Sequence, residues 1–294
     1  MADDSASKSN PLPDQPHDPD PRRVAVLGPG GVGGLLAGLL ARAGADVVCL
    51  ASDETAAALR ERGLQVTSGR YGTFGVPVRA AAELSEPVDV CLVTVKATSL
   101  LPALERVPAA ALGDALLIPL LNGVEHVHML REHYPDAAVV PATIRVESNR
   151  TAAGRIRHGS PFAAIELATT SATKERVRRF AAQLERAGLD VRVRADEVSM
   201  LWDKLGFIGP IALLTTHAGE PAGVVREARR DDLVAVVGEV AAVARAEGAA
   251  GDPAAVLSAL DAVPAEMRSS MQRDAAAGPR AGARSHRRGG SAGR

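Results

Sequence analysis

The chain is 294 residues long, 46% hydrophobic and 23% charged, a length that predicts two domains of roughly 100–200 residues each. Aromatic residues make up only 2% of it, which argues against a stacking platform for nucleic acid bases. The 34 basic and 35 acidic side chains nearly cancel, whereas a protein that grips phosphate backbones by charge has a basic excess. Composition therefore predicts no nucleic-acid partner.

The sequence predicts a cytoplasmic protein without a membrane partner. No run approaches the ~18 consecutive apolar residues of a membrane span. Residues 1–21 are polar, acidic and rich in Pro and Asp, unlike a secretory signal, and they predict a disordered leader. Cys49 and Cys91 lie in apolar runs typical of buried strands, which favours free thiols in a reducing interior over a disulfide.

From residue 22 onward, short apolar runs alternate with longer amphipathic stretches, the pattern of a parallel sheet with crossover helices. The predicted strands are residues 24–27, 46–50, 89–95, 115–118 and 137–144, and the predicted helices are residues 31–44, 54–62 and 124–132. The segment 63–80 has glycines between β-branched residues and predicts short strands or a hairpin. We therefore expect an α/β fold with an N-terminal Rossmann-type parallel sheet domain.

The second half of the chain changes character after Ala195. Before it, residues 154–158 and 162–167 predict antiparallel edge strands, residues 173–187 an amphipathic helix and residues 191–194 a half-exposed strand. After it, strand signals vanish, and apolar residues recur at helical spacing at Leu233, Val236, Val237, Val240 and Ala244. The pattern predicts a dinucleotide-binding domain over residues 22–195 and an all-helical substrate or catalytic domain over residues 196–278.

The last residues, 279–294, are rich in Arg and have no apolar face. They predict a disordered basic tail, because nothing in them can fill a core. An anion-binding arm and an unselected sequence are the alternatives.

A glycine-rich segment follows the first predicted strand and opens the first predicted helix. The six residues Gly28, Pro29, Gly30, Gly31, Val32 and Gly33 match G-x-G-x-x-G in the context that dinucleotide binding requires. Gly28 permits the tight turn, Gly30 lets the backbone approach a pyrophosphate, and Gly33 lets helix and strand pack closely. The helix N-terminus presents N–H groups and a positive dipole end to the phosphates. A merely structural turn is the alternative.

The residue after the second strand bears on the choice between NAD and NADP. An acidic residue there binds the ribose 2′-OH, whereas a small polar residue with Arg nearby suits a 2′-phosphate. Ser52 holds this position, and Asp53 follows it, where it is equally a helix N-cap. Arg60 and Arg62 lie downstream and either serve the cofactor or line a solvated face. The residues leave this choice open.

Four more polar side chains are candidates for a site. Lys96 and Asn122 follow predicted parallel strands, so both lie at the carboxyl edge of the sheet, where ligands bind. The alternatives are a solvent-exposed lysine and an ordinary turn or helix cap. Lys204 opens the helical half and is either a snorkelling side chain or a functional ammonium in a cleft. Ser270 lies in the last polar cluster, which by itself predicts a helix surface.

Together these segments resemble the ketopantoate reductase (2-dehydropantoate 2-reductase) family over roughly residues 23–278. The resemblance rests on GPGGVGG at the first turn, TVKA around Lys96, LNGV around Asn122, WDKL around Lys204 and SSMQRD around Ser270. It implies a Rossmann domain, a helical C-terminal domain and an active-site cleft between them. By motif, it implies that Lys204 is the catalytic lysine, that Lys96 and Asn122 line the cofactor and substrate crevice, and that Ser270 contacts the substrate carboxylate.

The resemblance implies NADPH-dependent reduction of the ketone of 2-dehydropantoate to (R)-pantoate, on the way to pantothenate and coenzyme A. The residue types suit this reaction, because an ammonium aimed at the ketone oxygen stabilises the charge that hydride addition builds there and delivers the proton. The expected partner is thus a small 2-oxoacid. NADH stays an alternative cofactor, a homodimer is left open, and no metal site is predicted.

The chain also departs from the family pattern. One helical turn after Lys204, the family usually has an Asn positioned for the substrate hydroxyl, and this chain has Ile208. After the second strand, Ser52 stands where the family commonly has an Arg. A family Glu in a T-E-[IL]-D stretch is missing, with Gly282 near its place, as is the closing C-terminal helix. Loss of a donor weakens selectivity for a hydroxylated substrate. A reductase of another 2-oxoacid and a dinucleotide-binding protein without turnover are therefore the alternatives.

Overall fold

The computed structural model describes residues 23–134, 138–170 and 173–278. The predicted leader and tail lie outside these residues. The strands are β1 (Arg23–Leu27), β2 (Asp46–Leu50), β3 (Leu64–Ser68), β4 (Gly72–Val76), β5 (Arg79–Ala81), β6 (Val90–Val93), β7 (Leu116–Pro119), β8 (Ala138–Val139), β9 (Ala142–Arg145), β10 (Ser148–Ala152), β11 (Arg155–His158), β12 (Ala164–Ala168) and β13 (Asp190–Arg194). The helices are α1 (Gly31–Arg42), α2 (Asp53–Arg62), α3 (Leu100–Leu104), α4 (Ala109–Leu112), α5 (Glu125–His133), α6 (Lys174–Arg186), α7 (Glu197–Ala218), α8 (Ala222–Ala228), α9 (Arg230–Ala246), α10 (Pro253–Asp261) and α11 (Ser270–Ala276), with a 3-10 helix at Ala97–Ser99.

A six-stranded sheet in the order β5-β2-β1-β6-β7-β8 forms the centre of the N-terminal part, and all its pairings are parallel. Every residue of β6 and β7 is buried, as expected for strands covered on both faces. The strand order reverses beside β1, between β1 and β6. Ligands bind outside the carboxyl ends of the strands at such a switch point. The predicted Rossmann-type parallel sheet is confirmed.

Alternate residues of the central strand enter two different cores, because successive side chains of a strand point to opposite faces. Val24 and Val26 belong to a large cluster that contains the buried leucines of α1 and Phe180 of α6. Ala25 and Leu27 belong to a second cluster on the other face, with Tyr134 among its members. α1 also contacts β3, β4, β10 and β11, so it lies between the parallel sheet and a smaller four-stranded sheet.

Two expectations about strand pairing are wrong. Residues 138–145 form two strands instead of one continuous strand, since β8 joins the parallel sheet while β9 joins the three-stranded sheet β13-β12-β9. Pro141 lies between β8 and β9 and has no N–H to continue a ladder.

The segments 154–158 and 162–167 each have one antiparallel neighbour, β10 for the first and β9 for the second, but neither segment is an edge strand. β11 lies between β10 and β3 in the sheet β10-β11-β3-β4, and β12 lies between β13 and β9. β11 is parallel to β3, and β12 is parallel to β13. Alternation of apolar residues shows which face of a strand is buried, but not which distant strand lies beside it.

Helices α7 to α11 follow the last strand and pack around α7. The carboxylate of Asp196 caps α7 by accepting the Ser199 N–H at 3.0 Å. The predicted face of α9 is buried at Leu233, Val237 and Ala244 and half-buried at Val236 and Val240. The division of the chain near residue 196 remains a proposal, which the end of β13 at Arg194 and the start of α7 at Glu197 support.

α7 has 22 residues and, by length and composition alone, is apolar enough to cross a membrane. Polar residues interrupt its apolar ones, so the sequence has no continuous apolar run of that length here. In this fold it is a packed helix. Ile211 and Leu214 belong to the core of the helical domain, while Met200 and Leu201 cluster with Val127 of α5. α7 therefore connects the core of the helical domain to the carboxyl edge of the parallel sheet.

The large cluster predicts where the protein is most sensitive to truncation. Phe180→Ala removes a fully buried ring and is expected to lower the free energy of unfolding by about 3–5 kcal/mol. Phe162 is 49% exposed, so Phe162→Ala is a matched control with an expected change within about 0.5 kcal/mol. Urea denaturation of both variants measures the difference; equal losses would contradict the packing described here.

Candidate active site

The turn between β1 and α1 leaves little room for side chains. The φ of Gly28 is +84°, in the left-handed region that favours glycine, and its N–H donates to the Leu50 carbonyl at 3.0 Å. A Cβ at Gly33 would lie 2.2 Å from Oγ1 of Thr94. Pro29 is buried within the turn. The turn is therefore fixed against the ends of β2 and β6.

The Gly30 side of the turn is open. Among the described residues, a Cβ at Gly30 would meet no atom nearer than the Gly28 carbonyl oxygen, at 3.8 Å. The Gly34 N–H donates to the Gly30 carbonyl at 2.8 Å, while the N–H groups of residues 31–33 have no acceptor within the helix. An open backbone surface at the positive end of a helix fits the pyrophosphate of a dinucleotide.

The end of β2 carries Ser52 and leads directly into α2. Ser52 is the exposed N-cap residue of this helix, and its hydroxyl donates to Oγ1 of Thr55 at 3.1 Å. Arg60 donates to the Ala80 carbonyl, and Arg62 lies 3.7 Å from its neighbour Glu61. Neither arginine contacts Ser52 in these interactions.

A third arginine, Arg106, lies beside the end of β2. Its Nη1 donates to the carbonyl of Ala51 at 3.1 Å and to that of Ala82 at 2.8 Å. The guanidinium is therefore next to the peptide that precedes Ser52. Sequence reasoning missed Arg106, since its two acceptors lie 55 and 24 residues away along the chain and no local pattern marks it.

Lys96 follows β6 and reaches across to the helical domain. Its ammonium lies 2.6 Å from a carboxylate oxygen of Asp274 on α11, and both side chains are 55% exposed. A second contact joins Arg273 to Glu147 at 3.8 Å. The Lys96–Asp274 pair joins α11 to the carboxyl edge of the parallel sheet, and the Arg273–Glu147 contact joins it to the loop between β9 and β10.

Lys204 is buried in α7, with 7% of its surface exposed. Among the described residues it has no hydrogen-bond or ion-pair partner, and the adjacent Asp203 is instead paired with Arg194 at 2.8 Å. Burial, and secondarily the charge of Arg145, lower the pKa of Lys204 to about 8. A buried ammonium without a counter-charge destabilises the fold, and such groups occur preferentially at functional sites.

The loop after β7 brings Asn122 to the same region. Asn122 is exposed, and its side chain makes no hydrogen bond to the described residues. Four residues later, in the first turn of α5, His126 is 4% exposed, and its Nε2 has no partner. Burial, followed by the charge of Lys204, lowers the pKa of His126 to about 4. Val127 of α5 and Leu201 of α7 belong to one buried cluster, so α7 passes the start of α5 one turn before Lys204. The structure thus brings a lysine of the helical domain near the loop that carries Asn122.

The start of α11 lies along the same face of α7. Thr215, eleven residues after Lys204, donates its hydroxyl to Oγ of Ser269 at 3.0 Å. Ser269 caps α11, so the next residue, Ser270, begins the helix and is exposed. Ser270 precedes Asp274 by one turn and shares its face of α11. This face is the one that meets Lys96.

Two further residues near Lys204 were not found from the sequence. His126 is far from Lys204 in the sequence and comes near it only in the fold. Its position four residues after Asn122 is nevertheless a usable signal. Arg145 ends β9, where nothing in the sequence relates it to α7. Like Lys204, Arg145 has no carboxylate partner among the described residues.

A dinucleotide-type turn at a sheet switch point, together with an unpaired buried lysine of the helical domain near the start of α5, is the arrangement expected of a two-domain nucleotide-dependent oxidoreductase. Comparisons with known proteins agree. Residues 24–171 match the family model described as ketopantoate reductase PanE/ApbA, and residues 198–281 match the model of its C-terminal domain.

Individual relatives extend over most of the chain. A 2-dehydropantoate 2-reductase from Mycobacterium tuberculosis is 31% identical over 264 residues, which cover 86% of this chain and 84% of that protein. The crystal structure of a PanE/ApbA family ketopantoate reductase from Ralstonia eutropha JMP134 has a TM-score of 0.78 and 29% identity, covering 88% of this chain and 86% of the other. A D-mandelate dehydrogenase bound to NADH and anilino(oxo)acetate shares the fold, with a TM-score of 0.79, 18% identity, and coverage of 87% and 86%.

The chain belongs to the ketopantoate reductase family. It is an oxidoreductase of a family that uses pyridine nucleotides, with an N-terminal Rossmann-type domain and a helical C-terminal domain. The expectation from the sequence is confirmed in these respects, and the alternative of a protein without turnover is set aside. Gly282 and the region of the family Glu lie outside the described residues.

The open face of the turn allows a direct test of cofactor binding. Gly30→Ala is expected to leave the thermal midpoint unchanged, because its methyl group makes only an ordinary van der Waals contact, with the Gly28 carbonyl oxygen. It is expected to raise the dissociation constant of the dinucleotide at least about tenfold by occupying the space of the phosphates. Gly238→Ala in α9 is the control, since a Cβ there has no described protein atom within 4 Å. Fluorescence titration with reduced nucleotide measures both; unchanged affinity in Gly30→Ala would place the phosphates elsewhere.

Proposed function

We propose that this protein reduces the ketone of a 2-oxoacid, in the first instance 2-dehydropantoate, to the 2-hydroxyacid with NADPH in the cytoplasm. The observation that carries the proposal is the buried, unpaired ammonium of Lys204 near the carboxyl edge of the sheet. The family and its 2-dehydropantoate 2-reductase relatives support the choice of substrate.

Lys204 supplies the acid chemistry of this reaction. Reduction of a ketone builds negative charge on the carbonyl oxygen, and an ammonium in a low-dielectric site stabilises that charge more strongly than water does. The ammonium then gives one proton to the oxygen and becomes a neutral amine. A pKa of about 8 suits this step, because the proton is present at neutral pH yet is released more easily than from an ordinary lysine.

The glycine turn holds the cofactor in this proposal. Gly28, Gly30 and the N–H groups of residues 31–33 take the pyrophosphate, and the bound nicotinamide supplies the hydride. Ser52 and Arg106 lie where the adenosine ribose of such a cofactor is bound, at the end of β2. A small polar residue beside a guanidinium suits a 2′-phosphate, which supports NADPH over NADH.

The remaining candidates surround the substrate. Asn122 orients the substrate or the nicotinamide through its free amide, and Ser270 offers a hydroxyl to the substrate carboxylate. Lys96 lines the same crevice and exchanges its contact with Asp274 for one with a ligand.

Ile208 favours a second candidate substrate class. It lies one turn after Lys204 on the same face of α7 and has no hydrogen-bonding group. A 2-oxoacid without the hydroxyl of ketopantoate leaves no polar group unpaired against this side chain, so an apolar 2-oxoacid is the alternative substrate.

Purified protein with NADPH or NADH and a panel of 2-oxoacids tests the proposal. We expect nucleotide absorbance to fall with ketopantoate and NADPH, and Lys204→Ala to lower kcat about 10²–10³-fold because the oxyanion loses its donor. The exposed Lys174 gives the matched control Lys174→Ala, which should keep full activity. Turnover only with other 2-oxoacids would favour the alternative substrate class. Full activity of Lys204→Ala would refute the role of this lysine.

The pKa of Lys204 predicts opposite pH dependences for the two directions. Because only the ammonium delivers the proton and only the neutral amine accepts one, reduction should slow about tenfold per pH unit above about pH 8. Oxidation of the hydroxyacid should quicken about tenfold per pH unit up to about pH 8 and level off above it. Initial rates in both directions measure this. In Lys204→Arg the pH-dependent limbs of both rate profiles should disappear, since a guanidinium stays charged over this pH range. Flat profiles for the unmodified protein would show that Lys204 does not exchange the proton.

A further inference from the structure

His126 is a buried titratable group to which the proposed reaction assigns no role. It is in the first turn of α5, 4% exposed, and its Nε2 has no hydrogen-bond partner among the described residues. Buried polar atoms of side chains are almost always hydrogen-bonded, because an unpaired one is destabilising. An unpartnered ring nitrogen beside the proposed active site therefore points to a missing partner.

The ring of His126 is uncharged at neutral pH. Burial and the nearby ammonium of Lys204 disfavour the imidazolium, and so does the positive end of α5. A neutral imidazole has one N–H and one lone pair. The lone pair is the natural counterpart of a cation, so a facing ammonium favours the tautomer with the proton on Nδ1 and the lone pair on Nε2.

Lys204 needs acceptors that its other neighbours do not supply. Arg145 of β9 is a cation, and Asp203 is paired with Arg194. From α11, Asp274 is paired with Lys96, and from α5, an oxygen of the exposed Glu125 carboxylate accepts the Val124 N–H at 3.2 Å.

Each of these four charged groups is thus either another cation or a carboxylate with a partner of its own. An ammonium has three N–H donors, and the ketone oxygen takes only one of them.

We propose that His126 is a positioning residue for Lys204: the lone pair on Nε2 of its ring accepts a hydrogen bond from the Lys204 ammonium, directly or through one bridging water. No direct hydrogen bond joins the two side chains in this structure. The proposal requires the flexible stem of Lys204 to bring its ammonium within hydrogen-bonding distance of Nε2, or one water to lie between them. The contact fixes the direction of the ammonium, so that another of its N–H groups points at the ketone oxygen.

The tautomer of His126 in the unmodified protein is the first test. The chain has seven histidines, and 15N labelling of histidine shows by NMR which ring nitrogen carries the proton, with His126→Gln assigning the signal. We expect the proton on Nδ1 and none on Nε2. A proton on Nε2 would overturn the proposal, because that nitrogen then has no lone pair for an ammonium.

The titration of Lys204 is the second test and needs no turnover. The chain has four lysines, so 13C labelling at lysine Cε gives few signals, of which Lys204→Arg removes the one to be followed. His126→Phe keeps the ring volume but removes the acceptor, and is expected to lower the Lys204 pKa by about one unit. His126→Gln places an amide oxygen near the position of Nε2 and should restore at least half of that shift. Equal shifts in both variants, or none, would overturn the proposal.

Kinetics give a third readout, which rests on the proposed reductase function. His126→Phe should lower kcat about tenfold with little change in the KM for the 2-oxoacid, and should move the alkaline limb of reduction to lower pH by about one unit. His128→Phe is the matched control on the same helix, because His128 is exposed, and should change neither.

The outcomes separate this inference from the proposed function. If no 2-oxoacid is reduced but the tautomer and titration results hold, the reductase proposal fails and the pairing stands. If the protein turns over but Nε2 is protonated, the pairing fails alone.

Discussion

The fold buries the ammonium of Lys204 where bulk water does not solvate it and no carboxylate of the described residues pairs with it. Burial and Arg145 both disfavour the charged form of Lys204, so its presence in the middle of α7 reduces stability. The helix tolerates the charge because its apolar residues on either side, Met200 and Ile211 among them, are fixed in two separate clusters. The low dielectric that makes the charge costly also strengthens its attraction for an oxyanion. The charge that lowers the stability of the fold and the proposed catalytic group are therefore the same ammonium.

The parallel sheet determines what this ammonium faces. Because all six strands run in one direction, their carboxyl ends meet at a single edge, and the loops after β1, β2, β6 and β7 emerge side by side. These loops carry the glycine turn, Ser52, Lys96 and Asn122, which are far apart in the sequence. The helical domain adds Lys204 and α11 at the same edge. A cofactor lying along the sheet and a substrate held by the helices would thus meet in the cleft.

Local patterns in the sequence predict the parts of the structure that local physics decides. Apolar runs and the glycine turn identify the sheet, since a strand buried on both faces and a turn without room for Cβ atoms leave direct marks on composition. The pairing of β11 with β3 depends on a contact across some ninety residues, and no local pattern encodes it.

The same limit applies to the candidate site. The strand ends with Lys96 and Asn122 are readable, because the position of a residue after a parallel strand implies the edge of the sheet. For Lys204, the sequence leaves open a snorkelling side chain and a functional ammonium in a cleft, and only the packing of α7 shows that the side chain is buried. Arg106 owes its position to neighbours brought together by the fold, so the sequence does not indicate it. For His126, the sequence offers only its spacing from Asn122.

The two kinds of contact between the domains differ in strength, and this difference bears on how a ligand enters. Lys96 and Asp274 form a short ion pair, but both side chains are more than half exposed, and such pairs contribute about 0–1 kcal/mol. The Arg273–Glu147 contact, at 3.8 Å, is weaker still. By contrast, α7 is joined to α5 through a buried cluster of Val127, Met200 and Leu201, whose separation would expose apolar surface. A ligand can therefore break these two ion pairs at little cost in free energy, while Lys204 stays where α7 holds it.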